Sequence, residues 1–346
     1  MVGKEMEMIK PIMNVTSLFI LGGSLIGLWI SLWFIAIVKE NRSMQSKLIE
    51  MILRLSKVNQ SFQRTKVDAY LDRCRQITIH PYVFPERMRL GVDVDQVMID
   101  DMQVYFLGGR ARNGQRHIFY LHGGAYVNQP TILHWMFLSR FLKRLNASAV
   151  LAIYPKAPGH QYEEAFSKVL RLYEDTISQI EAGNVIIMGD SSGGGFALAL
   201  AQLLKEKGLP QPGHIVMMSP WLDISMENPE IRQYESMDPI LGVDGLIKIG
   251  MTWAGSQDPH SYLLSPINGE LKGLGAISLI VGTHEIFLPD ARKLREIAVK
   301  QGVKINYFEH DKMNHVFPLF PIPEAKLAQH QIIDIIENDQ FDTIFS

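Results

Sequence analysis

The chain has 346 residues, 47% of them hydrophobic and 20% charged, with a formal net charge of −2 and one cysteine, Cys74. The apolar fraction excludes a disordered chain, the near-zero charge supplies no basic surface for nucleic acid, and a single cysteine excludes a disulfide framework or a paired-cysteine zinc site. The mean hydropathy of +0.04 is high for a globular chain, and the excess is local.

Residues 12–38 contain no charged side chain. As a helix they would be about 40 Å long against a hydrocarbon core of about 30 Å, so they are expected to span a bilayer once, with Trp29 and Trp33 near an interface. A cleaved leader would have an apolar region of only about 7–15 residues and a small-residue cut site, which is lacking here. Lys39, Arg42, Lys47, Arg54 and Lys57 follow the run, whereas Lys4 and Lys10 before it are offset by Glu5 and Glu7. The basic flank predicts a single-pass membrane protein whose body lies on the cytoplasmic side. Gly23 and Gly27 form a G-x-x-x-G through which two spans could pair as a weak homodimer.

Next come Met44, Leu48, Met51, Ile52, Leu55, Val58 and Phe62 at helical spacing, with Lys47, Glu50, Arg54 and Lys57 between them. This amphipathic pattern predicts a helix whose apolar stripe packs on its own domain. A second helical stretch surrounds residues 67–77, and Pro81 and Pro85 mark a boundary. The chain is thus expected to divide into an anchor segment (1–40), a helical cap and linker (41–90) and a catalytic domain (91–346).

From Gly91 onward, short apolar runs alternate with helical patterns. Strands are predicted at 92–99, 102–107, 117–121, 147–154, 184–188, 214–218, 277–281 and 303–308. Helices are predicted at 131–145, 162–180, 192–205, 290–301 and 324–337. The alternation specifies an α/β fold with a mostly parallel sheet covered on both faces.

The chemistry concentrates at strand ends. Gly189-Asp190-Ser191-Ser192-Gly193 is a G-x-S-x-G between a strand and a helix, the sharp turn that exposes a nucleophilic serine. The helix N-terminus beneath Ser191 favours developing negative charge. His122-Gly123-Gly124-Ala125 follows another strand, and its glycines suit backbone N–H donors for an oxyanion, with the Ser192 N–H as a third. A serine needs a base and the base an orienting carboxylate, in the chain order serine, acid, histidine. His315 follows the last strand and Glu285 the strand before it; Asp290 is the fallback acid, and Asp311 is too close in sequence to His315 to be a good partner.

His122-Gly-Gly-Ala-Tyr126 together with Gly189-Asp-Ser-Ser-Gly-Gly194 resembles the hormone-sensitive-lipase family of α/β-hydrolase esterases. The likeness extends to Tyr154-Pro-Lys-Ala-Pro158, Ser219-Pro-Trp-Leu-Asp223, Ser265-Pro266 and Gly282-Thr-His-Glu-Ile286. It implies an α/β-hydrolase fold with an N-terminal helical cap, Ser191 as nucleophile, Glu285 as acid, His315 as base, and Gly123, Gly124 and Ser192 as oxyanion donors. Three positions depart from the family pattern: Ala125 replaces a glycine, Ser192 an alanine and Glu285 an aspartate. The first two keep a backbone donor, and the third keeps the charge on a longer arm.

No HExxH, phosphate-binding glycine loop or metal-ligand spacing occurs, so neither cofactor nor metal is implied. The expected substrate is a small-molecule carboxylic ester. An amidase or peptidase using the same residues, and a non-catalytic small-molecule sensor, are the alternative readings.

Overall fold

The computed structural model describes residues 30–85 and 88–338. Residues 12–29 of the expected span, with Gly23 and Gly27, lie outside the described residues. Among the described residues no helix is long and apolar enough to cross a membrane. Residues 30–33 are helical, and Phe34–Lys39 forms a π-helical turn.

Helix α1 (Met44–Ser56) starts at Ser43, whose hydroxyl accepts the Ser46 N–H at 3.1 Å. It stops at Lys57, held at φ 54°, and a 3₁₀ turn (Val58–Phe62) follows. The one helix expected across 44–62 is therefore two pieces, because a left-handed residue ends the helical ladder. Helix α2 (Val67–Thr78) comes next.

The stripe expected to face the domain is turned partly outward. Ser46 and Glu50 are buried, while Leu48, Ile52 and Leu55 are exposed. The cause is Arg42, whose buried guanidinium meets Glu50, Glu40 (2.7 Å) and the Lys312 carbonyl (2.9 Å). Arg54 grips the same Glu50 at 2.8 Å. A buried arginine requires its carboxylate on the inner face, and the helix rotates to deliver it.

Among the described residues, eight strands form one sheet: β1 (Val94–Ile99), β2 (Met102–Leu107), β3 (His117–Leu121), β4 (Ser148–Ala152), β5 (Val185–Asp190), β6 (His214–Met218), β7 (Ala276–His284) and β8 (Ile305–Asn314). Their order is β1-β2-β4-β3-β5-β6-β7-β8. β2 pairs antiparallel with β1 and β4, and the other neighbours pair parallel. Seven further helices follow among the described residues: α3 (Ile132–Leu145), α4 (Tyr162–Ile177), α5 (Ser192–Glu206), α6 (Ile231–Tyr234), α7 (Val243–Ala254), α8 (Leu288–Gln301) and α9 (Pro323–Asn338).

The sheet divides two cores by strand alternation. In β3, Phe119 and Leu121 join α4, α5 and α8 on one face, whereas Ile118 and Tyr120 join α3 and α9 on the other. β7 and β8 run beyond the expected 277–281 and 303–308. The added stretch of β8 includes Glu309, His310, Asp311 and Lys312, polar residues acceptable on an edge strand that is only partly covered.

The Arg42 cluster sets a stability expectation. Burial raises the Glu50 pKa, but the hydrogen bonds and charges of Arg54, Arg42 and Lys47 outweigh it and hold the carboxyl at about 2. Its contribution is full above its ordinary value of 4.5 and is lost as pH falls toward about 2. Glu50→Ala leaves Arg42 with one carboxylate and is expected to cost about 3 kcal/mol at neutral pH, read as a lower denaturation midpoint, with the deficit shrinking in acid.

Candidate active site

Parallel strands end together on one rim of the sheet, and five polar residues stand one position beyond those ends. They are His122 after β3, Ser191 after β5, Ser219 after β6, Glu285 after β7 and His315 after β8. Asp190 pairs with Met218 at the ends of β5 and β6, and His284 with Asn314 at the ends of β7 and β8, the latter pair reached after a two-residue register shift between Gly282 and His284. β6 ends opposite Ile280, so β7 and β8 carry Glu285 and His315 farther past the rim.

Ser191 sits at φ 54° and ψ −126°, a strained conformation at the turn from β5 into α5. The turn closes because two residues lack side chains. A Cβ on Gly193 would lie 2.0 Å from the Leu121 carbonyl oxygen, and one on Gly189 would lie 2.2 Å from that of Gly193.

The Ser191 hydroxyl lies 2.9 Å from His315 Nε2, and His315 Nδ1 lies 2.6 Å from Glu285 Oε2. Nδ1–H therefore donates to the carboxylate, leaving Nε2 to accept from serine. The other Glu285 oxygen accepts from the Ser219 hydroxyl and the Gly282 N–H, both at 2.7 Å. The Ser219 oxygen in turn accepts the Val316 N–H at 3.0 Å. One hydroxyl thus braces the loops carrying acid and base. Asp238 adds a second brace: Oδ2 accepts the Ile286 N–H at 3.1 Å, and Oδ1 accepts those of Ile240 and Leu241. Burial alone would lower the His315 pKa, but the Glu285 hydrogen bond and charge, aided by Asp238 and Asp190, raise it.

The loop after β3 is held from behind by Asp190. Its Oδ1 accepts from the Tyr120 hydroxyl at 2.7 Å and the Gly123 N–H at 3.0 Å, and its Oδ2 lies 3.3 Å from His134 Nε2. Burial raises the Asp190 pKa, yet these partners more than offset it and keep the carboxyl below its ordinary value. The Gly123 N–H is thus engaged by Asp190. The Gly124 and Ser192 N–H groups have no hydrogen-bond acceptor among the described residues. Ala125, where the resembled family has glycine, adopts φ 55°, the left-handed region that glycine occupies without strain. His122 is kept neutral by burial; its ring stacks on Tyr154 at 4.5 Å, and Nδ1 lies 2.7 Å from the Gly123 carbonyl. It shapes the loop rather than joining the serine–histidine chain.

Helix α2 reaches the same loop. Asn128 Nδ2 donates to the Tyr70 hydroxyl at 2.6 Å and to the Gly124 carbonyl at 3.1 Å, and the Cys74 thiol lies 3.6 Å from Asn128 Oδ1.

Of the acids weighed from sequence, Glu285 meets His315. Asp290, at the start of α8, instead accepts from Asn228 Nδ2 at 2.9 Å, and burial pushes its pKa up to about 6. Asp311 pairs with Thr283 and Lys312. Among the described residues, no three His, Cys, Asp or Glu side chains form a cluster able to hold a metal ion. Sequence reasoning missed the bracing by Ser219, Asp238 and Asn128. Ser219 had a usable signal, since it directly follows a parallel strand on the rim that carries Ser191.

A family model described as the alpha/beta hydrolase fold matches residues 118–319. An acetyl-hydrolase of Streptomyces hygroscopicus is 32% identical over 222 residues, 63% of this chain and 74% of that protein. Human hormone-sensitive lipase is 25% identical over 223 residues, 62% of this chain and 20% of that one. The crystal structure of a putative esterase from Staphylococcus aureus superposes with a TM-score of 0.75 at 28% identity, covering 81% of this chain and 94% of that one.

The elbow's contacts are backbone, which cannot rotate aside. Gly193→Ala is expected to yield insoluble protein, or a Tm well below that of the wild type by thermal melt, whereas Gly183→Ala, where a Cβ meets nothing within 4 Å, is expected to leave it unchanged.

Proposed function

From the premise that the chain belongs to the alpha/beta hydrolase fold family and is a hydrolase of the esterase and lipase type, we propose that Ser191, His315 and Glu285 carry its chemistry as nucleophile, base and orienting acid on small-molecule carboxylic esters. The single observation behind this reading is the unbroken hydrogen-bond chain from the Ser191 hydroxyl through both nitrogens of His315 to Glu285.

His315 takes the serine proton as the oxygen attacks the ester carbonyl, and Glu285 stabilises the imidazolium that forms. The carbonyl oxygen becomes an oxyanion held by the Gly124 and Ser192 N–H groups at the α5 N-terminus. Gly123, whose N–H is engaged by Asp190, fixes the loop's position. His315 then protonates the leaving alcohol. A water activated by the same imidazole releases the acid from the Ser191 acyl ester.

Residues 12–38 tether this domain to a bilayer, with the body on the cytoplasmic side, on the charge and length arguments alone. Residues 41–90 act as a cap, a reading supported by the Tyr70–Asn128 contact between α2 and the loop after β3.

Ser191→Ala is expected to lower kcat/KM for p-nitrophenyl butyrate by about 10³-fold or more with an unchanged Tm; a variant as active as wild type removes Ser191 from this role. Activity requires neutral His315, whose pKa is raised above 6.5, so kcat/KM is expected to fall on the acid side with an apparent pKa above that value. Glu285→Gln removes the main raising charge and is expected to shift this limb to lower pH while slowing the reaction. A wild-type limb below 6.5 contradicts the raised His315 pKa, and an unshifted limb in Glu285→Gln contradicts Glu285 as its cause.

A further inference from the structure

Helix α1 carries apolar residues on two sides, and this chain covers one of them. Ile49 and Leu53 pack inward beside the Arg42 cluster. Leu48, Ile52 and Leu55, spaced along one outward face, are 37%, 53% and 72% exposed. Val58 continues the face past the break at Lys57, and Trp33, Phe34, Ile37 and Val38 are also exposed just before the helix. Exposed apolar side chains repeated along one helix face mark a contact with something else.

Three features point to the occupant. The exposed face continues from the uncharged run 12–38, and only residues 39–43 intervene. Five residues reach at most about 17 Å, so wherever the run enters a bilayer, α1 starts close to its surface. Lys39 and Lys57, both exposed, stand at either end of the face, where lipid phosphates would lie. The inner side is fastened to the domain, Arg54 donating to the Met237 carbonyl at 2.8 Å and Arg42 to that of Lys312 at 2.9 Å.

We propose that the outward face of α1 lies in the interface of a phospholipid bilayer, in contact with acyl chains, and fixes the orientation of the hydrolase domain on the membrane. The proposal rests on the reading of 12–38 as an anchor. It adds that the domain is seated, not merely tethered.

The test uses the full-length chain reconstituted into phospholipid vesicles. Cys74 is 3% exposed and its thiol pKa is pushed up by burial, so an introduced exposed cysteine takes a maleimide fluorophore selectively. Ile52→Cys and Leu55→Cys probe the face. Met98→Cys, 61% exposed on β1 at the sheet edge opposite β8, is the reference. Retained esterase activity checks the fold of each labelled protein. Lipids carrying a quencher near the headgroup are expected to reduce emission at 52 and 55 at least about twofold more than at 98. Vesicle flotation with equal quenching at all three sites overturns the proposal and leaves the anchor standing; that outcome includes coverage of the face by residues 1–29 or by a second copy. Failure to float overturns the anchor and the proposal together.

Discussion

Parallel strands carry their ends toward one rim of the sheet, and where two neighbours are paired to their last residues the residue after one is brought beside the residue after the other. Everything at this site depends on that geometric constraint. β7 and β8 are paired as far as His284 and Asn314, and the next residue on each is Glu285 and His315. β5 and β6 are paired as far as Asp190 and Met218, and the next residues are Ser191 and Ser219. A shift of two residues in either pairing would separate the groups by about 6–7 Å, beyond hydrogen-bonding reach. The long-range contacts that hold the sheet therefore also set the hydrogen-bond distances of 2.6 and 2.9 Å at its rim.

A second property of the site is its density of buried carboxylates. Glu285, Asp190 and Asp238 are all nearly inaccessible to solvent, and each is satisfied by backbone N–H or side-chain donors. Buried carboxylates without such donors would protonate. Their common effect is a negative environment in which the imidazolium form of His315 is favoured. The cost of holding that charge is met by the backbone amides of short loops, which is why those loops are rigidly hydrogen-bonded rather than free.

The order of the strands and of five helices was legible because apolar runs and helical periodicity alternate after Gly91; α6 and α7, between β6 and β7, were not expected. The serine elbow was legible because a turn that approaches Leu121 so closely admits only glycine at 193. Other features were hidden for physical reasons. The C-terminal half of β8 reads as polar, since an edge strand need not be apolar on both sides. The facing of α1 could not be read from spacing, because periodicity shows that a stripe exists and not which side is covered; the inward turn of Glu50 follows from Arg42, eight positions earlier. Ser219, Asp238 and Asn128 act through contacts 48–97 residues away in sequence, and no local pattern marks such partners.

Asn128 joins helix α2 to the loop that bears Gly124, using one side-chain amide for both Tyr70 and the Gly124 carbonyl. This contact links the position of the helix to that of the loop. Lifting the helix draws on the amide, and the amide draws on the Gly124–Ala125 peptide, which follows the Gly124 N–H in the chain. Under the proposed reading of residues 41–90 as a cap, movement of α2 and alignment of the proposed oxyanion donors would be coupled through this one side chain.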